Sequence, residues 1–236
     1  MVNIDTVYQR VLALANKEQR GYITPLEYNL LANQAQLDLF EQYFYDRNQT
    51  ARAPGNETMY SDVDKMLDEK ISVFHANAVV TAGVLPIDLY TLGVVTHVLG
   101  VGLQVVAEYN DRKDFLEKVG SPLLAPTDTR PIYIRDNSDT IQVFGTDIIT
   151  PLSILNTMLI DYVRIPAKVE WGYDVIGEKA LHNGSPNKTT HFEHHRSEET
   201  KLVMKILELA GVIIQDPGLI QYGDQEVMKK IQQEKQ

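Results

Sequence analysis

The chain has 236 residues, of which 44% are hydrophobic, and this is enough to bury a core as one large domain or two small ones. Its formal net charge of -10 disfavours a protein that grips nucleic acid, because such affinity comes from clustered lysine and arginine side chains. The absence of cysteine excludes disulfides, thiolate zinc sites and cysteine nucleophiles.

The N-terminal stretch MVNIDTVYQRVLAL is not expected to be a secretory signal, because Asp5 and Arg10 interrupt its apolar residues. No run of the sequence approaches the roughly eighteen consecutive apolar residues of a membrane-spanning helix. We therefore expect a protein that does not cross a membrane.

The first 70 residues are predicted to be helical. Asp5 is placed to cap a first helix, whose apolar residues recur at spacings of three and four. A second helix is predicted from Pro25 to about Asp46. Thr24 and Glu27 form the sequence pattern of a capping box at its start, with proline at the first helical position.

Residues 47–60 are predicted to be a loop, and a short helix is predicted to open at Ser61 and to run through Leu67. From residue 71 the sequence becomes rich in β-branched residues, which favours strands. The turn signal at 99–102 predicts a hairpin between two of them. The predicted strands lie within residues 71–76, 78–86, 91–109, 131–135, 140–144 and 153–164.

Asp111 is placed to cap a brief helix over residues 112–119, and a proline-bounded loop is expected after it. The strand at 153–164 is apolar on both faces, which predicts a central position in a sheet. The sheet edge is expected to continue through Val169, Trp171 and Tyr173.

Residues 174–196 hold few apolar anchors and are predicted to be a surface loop. Ser197 is then predicted to cap a helix that Gly211 terminates. The overall order of helices, strands and helices predicts an α+β fold, in which terminal helices pack together around a β-rich insertion. The predicted segments are 1–70 (helical), 71–175 (β-rich insertion), 176–223 (loop and helix packing back on the first helices) and 224–236 (C-terminal arm).

The histidines of the segment HFEHHR are the most suggestive chemical cluster in the sequence. His191, His194 and His195 could serve a metal-dependent enzyme, because imidazoles and nearby carboxylates are ordinary ligands of zinc. Their spacing matches no mechanistic motif, and Ser197 as the helix cap would leave them in a polar loop. We therefore predict no catalytic residue, no metal site and no cofactor, and keep the enzyme as an alternative.

The second predicted helix carries amides where charged side chains would be usual. Asparagine and glutamine both donate and accept hydrogen bonds without the desolvation cost of a full charge, which suits a surface buried against another polypeptide. We therefore predict a subunit interface on this helix that includes Gln34, Gln36 and Tyr43. A plainly solvated polar face is the alternative interpretation.

Four stretches together resemble virion structural proteins of tailed phages, and more narrowly the head-to-tail connector or ring proteins of short-tailed, crAss-like and related phages. The resemblance covers nearly the whole chain, and its motifs are structural, without a catalytic group. The stretches are VNIDTVYQRVLALANKEQRGYITPLEYNLLANQAQLDLFEQYF, LPIDLY at 85–90, LIDYVRIP leading to VEW, and HFEHHRSEETKLVMKILELAGVIIQDPGLIQYG.

The resemblance implies a non-enzymatic subunit that assembles as a ring, commonly twelve-fold, beneath the portal. DNA would pass through the ring without sequence-specific binding, and the acidic balance of the chain suits such a channel. The implied partners are further copies of the chain, the portal protein and neighbouring neck or tail proteins. The implied location is the virion neck or tail region, after assembly in the host cytoplasm.

The charged C-terminal stretch at 224–236 suits a docking arm, for which we predict contacts through Met228, Ile231 and Gln232. Another tail or accessory virion protein, which binds a neighbour without forming a closed ring, is the alternative within the same class.

Overall fold

The computed structural model describes residues 1–17, 23–52, 62–99, 103–147, 151–152 and 158–214. Several predicted features lie outside these ranges. They are the helix start at Ser61, the turn residues 100–102, the beginning of the strand predicted from Ser153, and the C-terminal arm with Met228, Ile231 and Gln232.

The chain combines helices with mixed sheets, and this confirms the predicted α+β class. The helices are α1 (Ile4–Lys17), α2 (Pro25–Arg52), α3 (Asp62–Ser72), α4 (Arg112–Val119) and α5 (Glu199–Ile214). The strands are β1 (His75–Val80), β2 (Leu89–Leu99), β3 (Leu103–Val106), β4 (Glu108–Tyr109), β5 (Ile132–Arg135), β6 (Ile141–Phe144), β7 (Met158–Arg164), β8 (Tyr173–Ile176) and β9 (Lys179–His182).

The chain divides into two compact units. The first unit contains Met1–Val73 and Pro166–Gln236, and the second contains Phe74–Ile165. The sequence predicts that the β-rich part ends at residue 175, whereas in the structure it ends at Ile165. The difference arises because residues 167–171 are hydrogen-bonded to α2 and so belong to the first unit.

Helices α1, α2 and α5 contribute to one apolar core in the first unit, together with Trp171 and Phe192. Two buried tyrosines tie their hydroxyl groups to backbone carbonyls inside this core. Tyr8 donates to the carbonyl of Ile23 at 3.0 Å, and Tyr28 donates to that of Ile4 at 3.1 Å. The hydroxyls are therefore satisfied where the rings are buried.

The predicted capping box at the start of α2 is confirmed. The backbone N–H of Thr24 donates to Glu27 Oε2 at 3.0 Å, and the N–H of Glu27 donates to Thr24 Oγ1 at 3.3 Å. The predicted end of this helix near Asp46 is wrong, because α2 continues to Arg52. No glycine or proline occurs between Pro25 and Pro54, so nothing in the local sequence stops the helix earlier.

The predicted limits of the C-terminal helix also need correction. His195, and not Ser197, is the N-cap of a 3-10 turn at Arg196–Glu198, and its Nδ1 accepts from the N–H of Ser197 at 3.3 Å. Gly211 does not terminate α5, which runs on to Ile214. One glycine costs a helix only about 1 kcal/mol, and the packed apolar side of α5 exceeds that cost.

A four-stranded sheet with the order β1-β7-β2-β3 dominates the second unit, and all of its pairs are antiparallel. The predicted β2–β3 hairpin and the central position of β7 are confirmed. The register of β2 against β7 shifts between Leu92 and Val95. Gly93 lies at this shift, where a Cβ atom would come within 2.8 Å of the carbonyl oxygen of Asp161, so only glycine fits.

A second sheet with the order β4-β5-β6 and the helix α4 complete the second unit. The antiparallel pair β5–β6 and the helix after Asp111 are confirmed. Asp111 occupies the N-cap position, but its carboxylate accepts from the Tyr109 hydroxyl at 2.9 Å and makes no bond to the helix. Phe115 of α4 packs against Phe144 with ring centroids 4.5 Å apart.

The prediction of a surface loop at 174–196 is wrong, because β8 and β9 form an antiparallel hairpin there and Phe192 is fully buried. Gly177 and Glu178 at its turn have φ values of 56° and 66°, as a type I′ turn requires. The sequence carries glutamate where asparagine or glycine would have signalled this turn. Val169 and Trp171 do not continue the edge of the large sheet either, because their backbones pair with α2.

Within the described ranges, no helix combines the length and the apolar character that crossing a lipid bilayer demands.

Candidate functional site

Three amide side chains on one face of α2 bind the backbone of an extended segment in the first unit. Asn33 accepts from the N–H of Val169 at 3.0 Å and donates to its carbonyl at 2.9 Å. Asn29 accepts from the N–H of Trp171 at 2.8 Å and donates to its carbonyl at 3.4 Å. We call Asn29, Asn33 and Gln36 the amide ladder, since Gln36 completes the set by donating to the carbonyl of Ala167 at 2.7 Å.

The amide ladder matches the geometry of a strand. Positions i, i+4 and i+7 lie on one helix face, and alternate residues of an extended segment point their backbone groups to the same side. From Asn29 to Gln36 the helix rises about 10 Å, whereas an extended chain covers about 13 Å from Ala167 to Trp171. The helix therefore rises about 3 Å less than the extended chain over this span. Glutamine, which is longer than asparagine by one methylene group, stands at position 36, where this difference in length has to be bridged.

Because the amide ladder lies inside the first unit, it removes residues from the predicted subunit interface. Gln36 and Tyr43 are each only 3% exposed, so both side chains lie inside the first unit. The assignment of these two residues to a subunit interface is therefore corrected, because a second copy cannot reach them without unfolding. Gln34 points to the other side, is exposed, and donates to Asp38 at 2.7 Å. It stays a predicted interface residue.

The three histidines of the alternative metal site face different neighbours. His191 accepts from the N–H of Ile4 at 3.4 Å, and His195 lies 2.8 Å from the hydroxyl of Ser197. His194 is fully buried, with its ring centroid 5.7 Å from that of Tyr43. Among the described residues, no group of three or more histidine or carboxylate side chains is arranged to hold a metal ion.

Next to these histidines lies a buried ion cluster of Lys70, Glu198 and Lys201. Glu198 is 1% exposed, and its carboxylate lies 2.9 Å from the ammonium of Lys70 and 3.4 Å from that of Lys201. Burial alone would raise the pKa of Glu198, but the two ammonium groups outweigh it and lower the pKa below its usual value. The cluster joins the end of α3 to the start of α5, which is a structural role.

The large sheet of the second unit packs only one of its faces. Val80, Met158 and His97 stand in register on the buried face. The next set of paired residues across the four strands points to the opposite face of the sheet. Its first and last members, on the two outer strands, are exposed valines. These are Val79 on β1, which is 64% exposed, and Val106 on β3, which is 62% exposed.

We call this set the valine-ended row. It consists of Val79, Leu159, Thr96 and Val106, which pair in sequence across β1, β7, β2 and β3. Inside the row, the hydroxyl of Thr96 donates to the carbonyl of Leu159 at 3.0 Å. No motif in the sequence marks these valines. The signal that could have found them is two strands, HANAVV and LQVV, that carry apolar residues without any charge or proline.

Comparison with known proteins gives no assignment: the chain matches no protein-family model, and no curated protein matches it at a significant level.

The amide ladder predicts that two neighbouring substitutions, at Asn33 and Gln34, will differ strongly in their effect on the free energy of unfolding. Asn33→Ala leaves the buried N–H and carbonyl of Val169 without partners and should lower the free energy of unfolding by about 2–4 kcal/mol. Gln34→Ala, on the exposed side of the same helix turn, should change it by less than about 0.5 kcal/mol. Urea denaturation followed by circular dichroism measures both values, and equal effects would contradict the ladder.

His194 predicts an acid-dependent loss of stability. Burial lowers the pKa of His194 to about 4, from an ordinary value of 6.5, because the charged ring is poorly solvated in the interior. The folded state therefore binds fewer protons than the unfolded state between these values. Its contribution to stability is complete above pH 6.5 and declines by about 3 kcal/mol as the pH falls to 4.

The measurement is the free energy of unfolding between pH 7 and pH 4 for the unsubstituted chain and for His194→Gln. The substitution should flatten the dependence over this range, whatever it does to the absolute stability. His195→Asn is the matched control, because it removes an exposed imidazole and retains a capping group. A curve for His194→Gln that runs parallel to that of the unsubstituted chain would show that this histidine is not the source.

Proposed function

We propose that the chain is a structural subunit of a bacteriophage head-to-tail connector or neck. Copies of it would form a closed ring between the portal and the tail, and the ring would line part of the DNA channel. The proposal assigns no chemical step to the chain. It acts by surface complementarity, through a heterologous interface repeated around the ring.

The observation that carries the proposal is the partly covered sheet of the second unit. Large contiguous apolar patches are rare on monomeric proteins and often mark a contact with another protein. Here exposed valines stand on β1 and on β3, at two separate places on one face of the sheet. Two different contact surfaces on one subunit are what a ring with head-to-tail contacts requires.

The charge of the chain supports the same function. A formal net charge of -10 would let acidic side chains line the proposed channel and repel the phosphates of DNA, so that DNA would pass without adhering. The resemblance of the sequence to connector proteins points to the portal and the adjoining neck or tail proteins as partners, with the virion as the location. The commonest stoichiometry of that family, twelve, is the expected one.

The alternative enzyme built on His191, His194 and His195 draws no support from the geometry. His191 and His195 each hold a local backbone or hydroxyl partner, and His194 is enclosed in the core. Bringing three imidazoles to one ion would require the start of α5 to unpack. A tail or accessory virion protein remains within the proposed class, and its distinguishing property is that it forms no closed ring.

Native mass spectrometry and negative-stain imaging of the purified chain test the proposal. We expect closed rings of one stoichiometry, either from the chain alone or after mixing with the portal protein. A chain that stays monomeric in both samples, or that forms only dimers or open filaments, would contradict it.

Gln34→Glu provides a companion measurement, because this side chain is exposed and its substitution leaves the amide ladder intact. We expect fewer assembled rings with only a small decrease in melting temperature, because the new carboxylate faces that of Asp38 one helical turn away. Gln36→Glu would not serve the same purpose, because a carboxylate at position 36 would face the carbonyl of Ala167 inside the fold.

A further inference from the structure

We propose that a cleft lined by three tyrosines in the second unit binds an extended, proline-containing segment of a partner protein. The cleft has a volume of about 330 Å³ and lies between the first half of β2 and the strands β4 and β5. Its lining residues are Tyr90, Thr91, Leu92, Tyr109, Tyr133 and Arg135, and we call it the tyrosine cleft. The inference goes beyond the proposed ring, because a single copy of the chain forms the whole site.

The tyrosine cleft arises where β3 leaves the edge of β2. β3 pairs with β2 over residues 96–99, and the N–H of Ala107 continues this ladder by donating to the carbonyl of Val95 at 2.8 Å. From Glu108 onward the chain pairs on its other side, where β4 runs parallel to β5. Within the described ranges, no strand covers the outer side of β2 over residues 89–94. The two sheets separate here, and the gap between them is the cleft.

One wall of the cleft consists of side chains on the second sheet. Tyr109 of β4 stands beside Tyr133 of β5 in the register of these strands, with ring centroids 5.4 Å apart. Arg135 follows Tyr133 by two residues and so lies on the same face of β5. Tyr133 is only 9% exposed, whereas Tyr109 and Tyr90 on the opposite wall are 55% and 39% exposed. A ligand can therefore reach an aromatic ring on either side of the cleft.

Hydrogen bonds within the chain already hold the polar groups of this wall in place. The Tyr109 hydroxyl donates to the carboxylate of Asp111 at 2.9 Å. The guanidinium of Arg135 donates through Nε to the carbonyl of Asn137 at 3.3 Å and through Nη2 to that of Ser138 at 2.9 Å. A ligand consequently meets side chains whose freedom is already reduced, which lowers the entropic cost of binding.

The Tyr133 hydroxyl is the group that a ligand would satisfy. In the part of the chain that the structure describes it has no hydrogen-bond partner, although more than nine-tenths of the residue is buried. Burial raises the pKa of Tyr133, and the positive charge of Arg135 opposes this shift without reversing it. The hydroxyl is therefore protonated at neutral pH and able to donate. Buried donors nearly always have a partner, so we expect an acceptor from outside the chain.

The lining matches a proline-containing peptide in the extended polyproline II conformation. Backbone carbonyls in this conformation are not bonded to one another, so they are free to accept from Tyr133 and Arg135. Proline has no N–H and needs no acceptor, and the lining contains no carboxylate or amide side chain that would supply one. Grooves lined by aromatic rings are a recurring site for such segments.

Other classes of ligand match the lining less well. A single strand of nucleic acid also stacks on tyrosine rings, but it needs several basic groups along its phosphates, and Arg135 is the one basic residue of the lining. A sugar presents many hydroxyl donors, for which the lining holds neither a carboxylate nor an amide as acceptor. The chemistry of the cleft therefore favours an acceptor-rich peptide.

Fluorescence anisotropy with a fluorescein-labelled decaproline peptide tests the site in the full-length chain. We expect saturable binding with a Kd below about 100 μM, and at least tenfold weaker binding of a glycine–serine peptide of the same length. Absence of saturable decaproline binding, or equal binding of the two peptides, would overturn the proposal. An oligothymidylate of similar length that binds more tightly than decaproline would overturn it in favour of nucleic acid.

Substitutions show whether the peptide binds in the tyrosine cleft. Tyr133→Phe removes the buried hydroxyl and keeps the ring, so it should weaken decaproline binding by about three- to tenfold. Tyr90→Ala removes the ring of the opposite wall and should weaken binding at least about fivefold. Tyr45→Ala, at an exposed tyrosine of α2 in the first unit, is the matched control and should bind as the unsubstituted chain does.

The melting temperature separates a loss of binding from a loss of folding. Tyr133→Phe deletes a hydroxyl without a partner, so it should melt at the same temperature as the unsubstituted chain or at a higher one. Undiminished affinity in both Tyr133→Phe and Tyr90→Ala would place the peptide elsewhere and overturn the proposal.

The peptide test and the ring test have independent outcomes. Rings that form from a chain that does not bind decaproline would overturn the tyrosine cleft as a peptide site and leave the proposed connector function standing. A chain that binds decaproline in the cleft and forms no ring, with or without the portal, would do the reverse.

Discussion

The pairing of amide side chains with an extended backbone is the interaction on which the first unit depends. The segment from Ala167 to Trp171 has a short bridge to Thr190 along one side, and α2 lies along the other. Buried peptide groups have to find partners, and here a helix takes the place that a neighbouring strand usually fills. An amide suits this position because it donates and accepts within one planar group, whereas a carboxylate only accepts and an ammonium only donates.

The sequence predicts the parts of this fold that depend on residues close together in the chain. The capping box of Thr24 and Glu27 and the hairpin of β2 and β3 follow from residues a few positions apart, and both are confirmed. The amide-rich face of α2 was also visible. Its partner was not, because Val169 lies 136 residues from Asn33, and a helix pattern does not say which backbone it will meet.

Other elements were not predictable from the sequence, because the residues at their turns and caps are not the usual ones. Glu178 occupies a left-handed turn position that asparagine or glycine normally fills, so the hairpin of β8 and β9 lacked its usual signal. His195 caps the turn before α5 through a ring nitrogen, in competition with the more conventional Ser197. Of the proposed interface residues, Gln36 and Tyr43 are both buried within the first unit. For Gln36 the sequence could not show this, because the amide chemistry that suits a protein partner also suits the interior of a single chain.

The two units handle their polar backbone in opposite ways. In the first unit, side chains of α2 satisfy a strand that has no neighbouring strand on that side. In the second unit, strands satisfy strands, and the continuation of β3 into β4 pairs on its outer side with β5. The first unit therefore relies on side chains for part of its backbone pairing, whereas the second relies on neighbouring strands.

The second unit also leaves and rejoins the rest of the chain at one place. Phe74 opens it, and the hydrogen bond from Arg164 to Phe74 brings its two ends together. A module whose entry and exit points touch can be lengthened, shortened or exchanged for another without stretching the helical core that holds it. The β-rich module can therefore change in length or sequence while the helical core keeps its own contacts.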